Sequence, residues 1–163
     1  MSSNSQVRSS PKSASVSYIS SASGRACLSE WDRPVAVSDI LQLLLAVKRA
    51  FAITGSPVIL LIVVREAVPT PANFLLTCLR GTLPAILHCC EQIVIVIEGA
   101  GAERALLRSA FQPTRSSAAK LALQHFDSLS AALTYAQRFV PHDVLELQRH
   151  LLHQRLPPNG QWI

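Results

Sequence analysis

Two stretches of this chain, PVILLIVV at 57–64 and QIVIVI at 92–97, carry no charge and consist almost wholly of β-branched and leucine side chains. A strand with one wet face alternates apolar and polar residues. Uninterrupted runs of this length need cover on both faces, and helices laid over a mostly parallel sheet provide it. The segments around the two runs supply such helices. SDILQLLLAVKRAFAITG at 38–55 places Ile40, Leu43, Leu44, Val47, Phe51 and Ile53 near helical spacing, with Ser38 as the expected N-cap and Gly55 as the stop. LLTCLRGTLPAILHCC at 75–90 is a second helical pattern. Thr70 is its expected cap and Pro71 falls in its first turn, while Gly81 and Pro84 predict a kink or a break, with Thr82 capping the second piece. GAERALLRSAF at 101–111 and DSLSAALTYAQRF at 127–139, the latter capped by Asp127 or Ser128, give two further helices around a short strand, KLALQHF at 120–126.

Ahead of these elements, SVSYIS and GRACLSEW are short β-leaning runs on either side of SASG, a hairpin. The fold class read from this order is α/β, ββαβαβαβα, with a mixed, mostly parallel sheet, an antiparallel N-terminal hairpin and flanking helices. One domain is expected over residues 15–140. Residues 1–14 are serine-rich and poor in large apolar side chains, so a disordered tail is expected there. Residues 141–163 hold an extra amphipathic helix with Val144, Leu147 and Leu151 on one stripe, either packed on its own domain or open to a partner.

The chain is 49% apolar, yet charges interrupt every long apolar run, so no membrane span and no secretory signal is read and a cytoplasmic protein is expected. Its net charge of +5 comes from dispersed residues with few aromatics among them, which does not describe a nucleic-acid surface. Cys27, Cys78, Cys89 and Cys90 form no C-x-x-C pair and read as reduced core residues. His88, Cys89 and Cys90 are consecutive, so on a helix they diverge instead of converging on one ion. Glu146, His150 and His153 share one side of the last helix but lack a further ligand, and no metal site or cofactor is assigned.

Between the second apolar run and its helix stands EGAGAER. Gly99 and Gly101 supply a G-x-G turn, which could cradle a phosphate, but Arg104 occupies the place of the small third residue and no P-loop lysine follows. Arg104 and Arg108, one turn apart, could meet an anion or an acidic partner. Arg104 could equally pair with a surface glutamate, and Glu98 and Glu103 nearby disfavour phosphate. No catalytic constellation stands out, and no enzyme is expected.

The element order, with PVILLIVVREAVPTPANF, IVIVIEGAGAERALLRSAF and HFDSLSAALTYAQ, resembles the STAS fold of bacterial anti-sigma factor antagonists. The resemblance covers roughly residues 15–140. It implies a non-enzymatic regulatory module that binds a protein partner, such as a kinase-type anti-sigma factor, through Val68, Thr70, Asn73 and Phe74. In that family a serine preceded by aspartate is phosphorylated at the start of the second helix. Here only Thr70 offers a hydroxyl at the matching place, so the phospho-switch departs from the pattern. The alternative is a carrier or sensor of a nucleotide or other small molecule, with Gly99, Gly101, Arg104 and Arg108 at its site. A homodimer is also open. Thiol chemistry would need an exposed cysteine of low pKa.

Overall fold

The computed structural model describes residues 17–112 and 122–155, with side chains at 18–112 and 122–151. The expected tail at 1–14, residues 120 and 121 of the fifth strand reading, and the side chain of His153 lie outside these. The chain runs β1 (Ser17–Ser20), β2 (Ala26–Trp31), α1 (Val37–Thr54), β3 (Val58–Val64), α2 (Asn73–Cys89), β4 (Cys90–Ile97), α3 (Ala102–Ala110), β5 (Leu123–Phe126), α4 (Leu129–Ala136) and α5 (Pro141–Arg155). The five strands lie side by side in chain order, β1 antiparallel to β2 and the remaining neighbours parallel. The mixed sheet and its N-terminal hairpin follow the sequence reading.

Every residue of β3 is buried, because its alternate side chains enter two different cores. Leu60, Ile62 and Val64 join Ile93, Ile95 and Ile97 of β4 under α1, α2 and α3. Ile59, Leu61 and Val63 join Val94 and Val96 under α4 and α5. On β2, Ser29 enters the first of these cores and is satisfied there by the indole N–H of Trp31, which donates to its Oγ at 3.0 Å. The amphipathic stripe of α5 is spent within the domain, since Val144, Leu147 and Leu151 are all buried in the second core. The same helix also latches the hairpin. The amide of Ala22 donates to both carboxylate oxygens of Glu146, at 3.0 and 3.1 Å, and the Ser23 hydroxyl donates to Asp143.

Three local expectations are corrected. The cap of α1 is Ala36, not Ser38, because Asp39 three residues on accepts the Ala36 amide at 2.8 Å and ties the turn. The cap of α2 is Ala72, two residues past Thr70. The amides of Leu75 and Leu76 donate to the Ala72 carbonyl at 2.9 and 3.1 Å, so the first helical turn closes on Ala72, and Thr70, with its hydroxyl buried, lies outside it. Finally, α2 is one helix and does not break at Gly81 or Pro84. Thr82 caps nothing; its hydroxyl donates backward to the carbonyls of Cys78 and Leu79, and Gly81 and Pro84 lie on the exposed side. A proline there removes an amide from the wet face, where water can serve the freed carbonyl. Ser128 does cap α4, accepting the Ala131 amide at 3.2 Å.

The double-sided core makes β4 intolerant of truncation. Ile95→Ala, at a side chain with no exposure, should lower the unfolding free energy by about 2–5 kcal/mol in urea titration, while Ile53→Ala, at a side chain 77% exposed, should change it by less than about 0.5 kcal/mol.

Candidate functional site

Where the apolar runs of β2, β3 and β4 end, the first polar residues meet. Glu30 stands near the end of β2, Arg65 just beyond β3 and Glu98 just beyond β4, on three adjacent parallel strands. Arg65 donates from Nε to Glu30 Oε1 at 2.6 Å and from Nη1 to Glu98 Oε1 at 2.7 Å, and its Nη2 also pairs with Glu30. The second Glu98 oxygen accepts the Glu66 amide at 3.3 Å. Burial works against the Arg65 charge, but the hydrogen bonds to Glu98 and then Glu30 overcome it, and the guanidinium holds its proton more tightly than an ordinary arginine. Glu30 is itself buried. This group is therefore a strut across the strand ends, with its donors and acceptors turned toward each other.

Arg104, on the first turn of α3, is 92% buried, with 8% of its surface exposed. Its Nη2 donates to the carbonyls of Glu66 and Val68. The expected pairing of Arg104 with a surface glutamate is thus replaced by a clamp on backbone, which pins the β3–α2 loop from beneath. Nη1 of Arg104 is buried and has no hydrogen-bond partner among the described residues, and the same holds for the hydroxyl of Thr70 two residues beyond the clamp. Arg108 acts similarly on its own side, donating from Nη2 to the carbonyls of Ile97 at 3.1 Å and Gly99 at 3.0 Å.

The glycines of the EGAGAER turn have a steric purpose. Gly99 at φ +90° and Gly101 at φ +105° are in the left-handed half of conformational space. A Cβ at Gly99 would also stand 3.2 Å from Glu66 Cγ and 3.6 Å from Arg104 Nε. Gly99 thereby gives the clamp room. Both arginines that could meet an anion are committed to carbonyls through Nη2, and Glu66, Glu98 and Glu103 surround the turn.

The residues expected to contact a partner divide into two groups. Val68 is fully buried and anchors the loop, and Thr70 turns its hydroxyl inward. Asn73 and Phe74, the first two residues of α2, are exposed, Phe74 by 66%. Phe74 is thus an exposed aromatic side chain in the first turn of the helix that follows the pinned loop.

The other sequence candidates are scattered. His88 is exposed at the end of α2, while Cys89 and Cys90 are buried at the junction with β4. Burial raises the thiol pKa of Cys90, and it raises that of Cys27 against a hydrogen bond with Tyr18 that lowers it. Those two thiols are poor nucleophiles. Glu146 serves the hairpin, and among the described residues no group of three His, Cys, Asp or Glu could hold a metal ion. No helix among them is long and apolar enough to cross a membrane. The strut and the clamp were missed in the sequence because nothing in it ties Arg65 to Glu30 or Arg104 to two carbonyls. The only available signal was charge placed directly after each apolar run.

Comparison with known proteins gives no match to a family model, to a curated protein or to a solved structure.

Arg65→Leu should cost about 3–5 kcal/mol of stability in denaturant titration, because it strands the buried Glu30 carboxylate, and Glu30→Leu in the same chain should recover part of the loss. A second measurement concerns His125 on β5. Although His125 stands at the surface, partial desolvation, then the charge of Arg108, holds its imidazole below the ordinary histidine value. The folded protein accepts this proton later than the unfolded chain as pH falls. The contribution of His125 is therefore complete above about pH 6.5 and is lost as pH drops through the folded value. Melting followed by circular dichroism should show the midpoint falling over that window, with a shallower fall in His125→Gln.

Proposed function

We propose that this chain is a non-enzymatic protein-binding module that presents Asn73 and Phe74 at the start of α2 to a regulatory partner. The observation that carries the reading is Phe74, two-thirds exposed at the first turn of a helix whose lead-in loop is held by Arg104. A rigidly held aromatic loses little freedom on binding, and aromatic anchors supply much of the energy of protein interfaces. The resemblance to STAS domains of anti-sigma factor antagonists places the contact on the same segment and suggests a cytoplasmic regulator whose partner is of the kinase-type anti-sigma class. Thr70 takes no part in a simple switch on this reading. Its hydroxyl is buried, so a kinase would reach it only after the loop leaves the Arg104 clamp.

The reading also accounts for the strand-order pattern. Small ligands of open α/β sheets settle where the strand order reverses and two crossovers diverge. Here the order runs from β1 to β5 without reversal, and the three helices between the parallel strands cover a single face.

Native mass spectrometry on the protein purified from its own host tests the proposal. A stoichiometric protein partner is expected. Phe74→Glu should weaken its binding by more than about tenfold with melting unchanged, and Arg104→Ala should weaken it while also lowering the melting temperature. A tightly held small molecule without a protein partner, or a partner indifferent to Phe74→Glu, overturns it.

A further inference from the structure

The surface that carries Phe74 continues onto α1. Of the seven large apolar side chains exposed among the described residues, four stand on the outer side of these two helices: Val37, Leu41, Leu45 and Phe74. Each helix follows one parallel strand and leads back to the start of the next, so α1 and α2 run parallel over one face of the sheet, and they pack on each other. The rings of Phe51 and His88, 6.4 Å apart between centroids, fix their relative height. Fourteen residues earlier on each helix, about four turns, Val37 stands level with Phe74. Between these levels Leu41 is matched by Cys78, Leu44 by Gly81 and Lys48 by Ala85. Both helices thus meet along a seam whose positions are spaced four and three residues apart, the spacing that keeps one helix face in line.

The two sides of the seam are unequal. From α1 come leucines, and from α2, below Phe74, come only Cys78, Gly81 and Ala85. Leu44 and Cys78 are half-buried against the first core and make a floor, beside which Leu41 and Leu45 stand as an exposed wall. Gly81 keeps the seam open, since a Cβ there would meet no atom within 4 Å. The charge in the seam is Lys48, and neither helix answers it. α2 has no carboxylate, and Asp39, the one carboxylate of α1, is held by Arg33 and the Ala36 amide. Among the described residues Lys48 joins no ion pair.

We infer that the seam receives an acidic amphipathic helix of the protein partner, laid along α1 and α2 from Phe74 to Lys48 with a carboxylate against the lysine. This rests on the protein-binding reading of Phe74 and names the chemistry of the partner. The eleven residues from Val37 to Lys48 span roughly 16 Å, three turns, which suits anchors at i, i+3 or i+4, and i+7 of an incoming helix. A strand would find no edge to pair with, because both margins of the seam are helices. Charge decides against a second copy of this chain, since two such seams would meet with a lysine from each and no acid from either. Charge also decides against an anionic lipid surface, which draws on a cluster of basic residues where the seam offers Lys48 alone.

The test uses the complex purified from the chain's own host, with affinity for the isolated partner read by biolayer interferometry. Gly81→Leu fills the seam from a helical position that has room for it. Melting should hold or rise, because leucine favours a helix over glycine, while affinity falls by more than about tenfold. Lys48→Glu should weaken binding as strongly with an unchanged circular dichroism spectrum, and Leu145→Glu, exposed on α5 across the sheet, should leave it as it is. Carbodiimide treatment should join Lys48 to an aspartate or glutamate in a helical segment of the partner. A complex lost in Phe74→Glu but indifferent to Gly81→Leu and Lys48→Glu overturns this inference and leaves the Phe74 reading standing. Absence of a complex, or one indifferent to all three substitutions, removes both. Two further results also overturn it: retention of the free chain on phosphatidylcholine–phosphatidylserine vesicles that Lys48→Glu abolishes, and a dimer in sedimentation that Gly81→Leu dissolves. The first gives the seam to a membrane and the second gives it to another copy.

Discussion

The seven residues of β3 have no polar side chain and no exposed one, and this single strand organises the molecule. It cannot sit at an edge or under one layer, so helices must close over both faces of the sheet, and the two cores follow from its alternation. Polar chemistry is thereby driven to the strand ends. Arg65 is the first residue past the apolar run, and in that position it has only two kinds of neighbour, the adjoining strand ends and the loop. Glu30 and Glu98 complete it from either side. The strut is a consequence of how the middle of the sheet was made dry.

Much of the architecture was legible because hydrophobic periodicity is a long-range signal with many residues voting. The buried strands, the hairpin at SASG, the helices after each strand and the inward stripe of α5 all emerge from it. The helix starts were not legible to the same degree. Ser38 and Thr70 are good capping residues by type, but a cap is one residue deciding one turn. At α1 the Asp39 carboxylate tied a different turn, and at α2 the first turn closed on the Ala72 carbonyl, two residues later. Pro84 misled in the opposite sense, since a proline breaks a helix at much less cost where its freed carbonyl faces water.

The arginines show a further limit. Arg104 reads in sequence as an anion ligand or as half of a surface ion pair, both of which treat it as a charge. In the fold it acts as a donor of hydrogen bonds to two carbonyls from a loop nearly forty residues earlier. Backbone acceptors carry no residue-type signature, so a long-range contact to them leaves no trace in composition or spacing. The same blindness hid the difference between Val68, which anchors the loop, and Phe74, which the loop exposes. Only burial separates two apolar residues six positions apart.

The hairpin latch has an implication for how the chain is made. Ala22 and Ser23 are held by Glu146 and Asp143, more than a hundred residues downstream. During synthesis the hairpin exists long before the helix that fastens it, and for that interval β1 is retained by β2 alone. Translation thus has an interval in which the turn of the hairpin is unfastened, ended when α5 leaves the ribosome and the oldest part of the fold is secured by the newest.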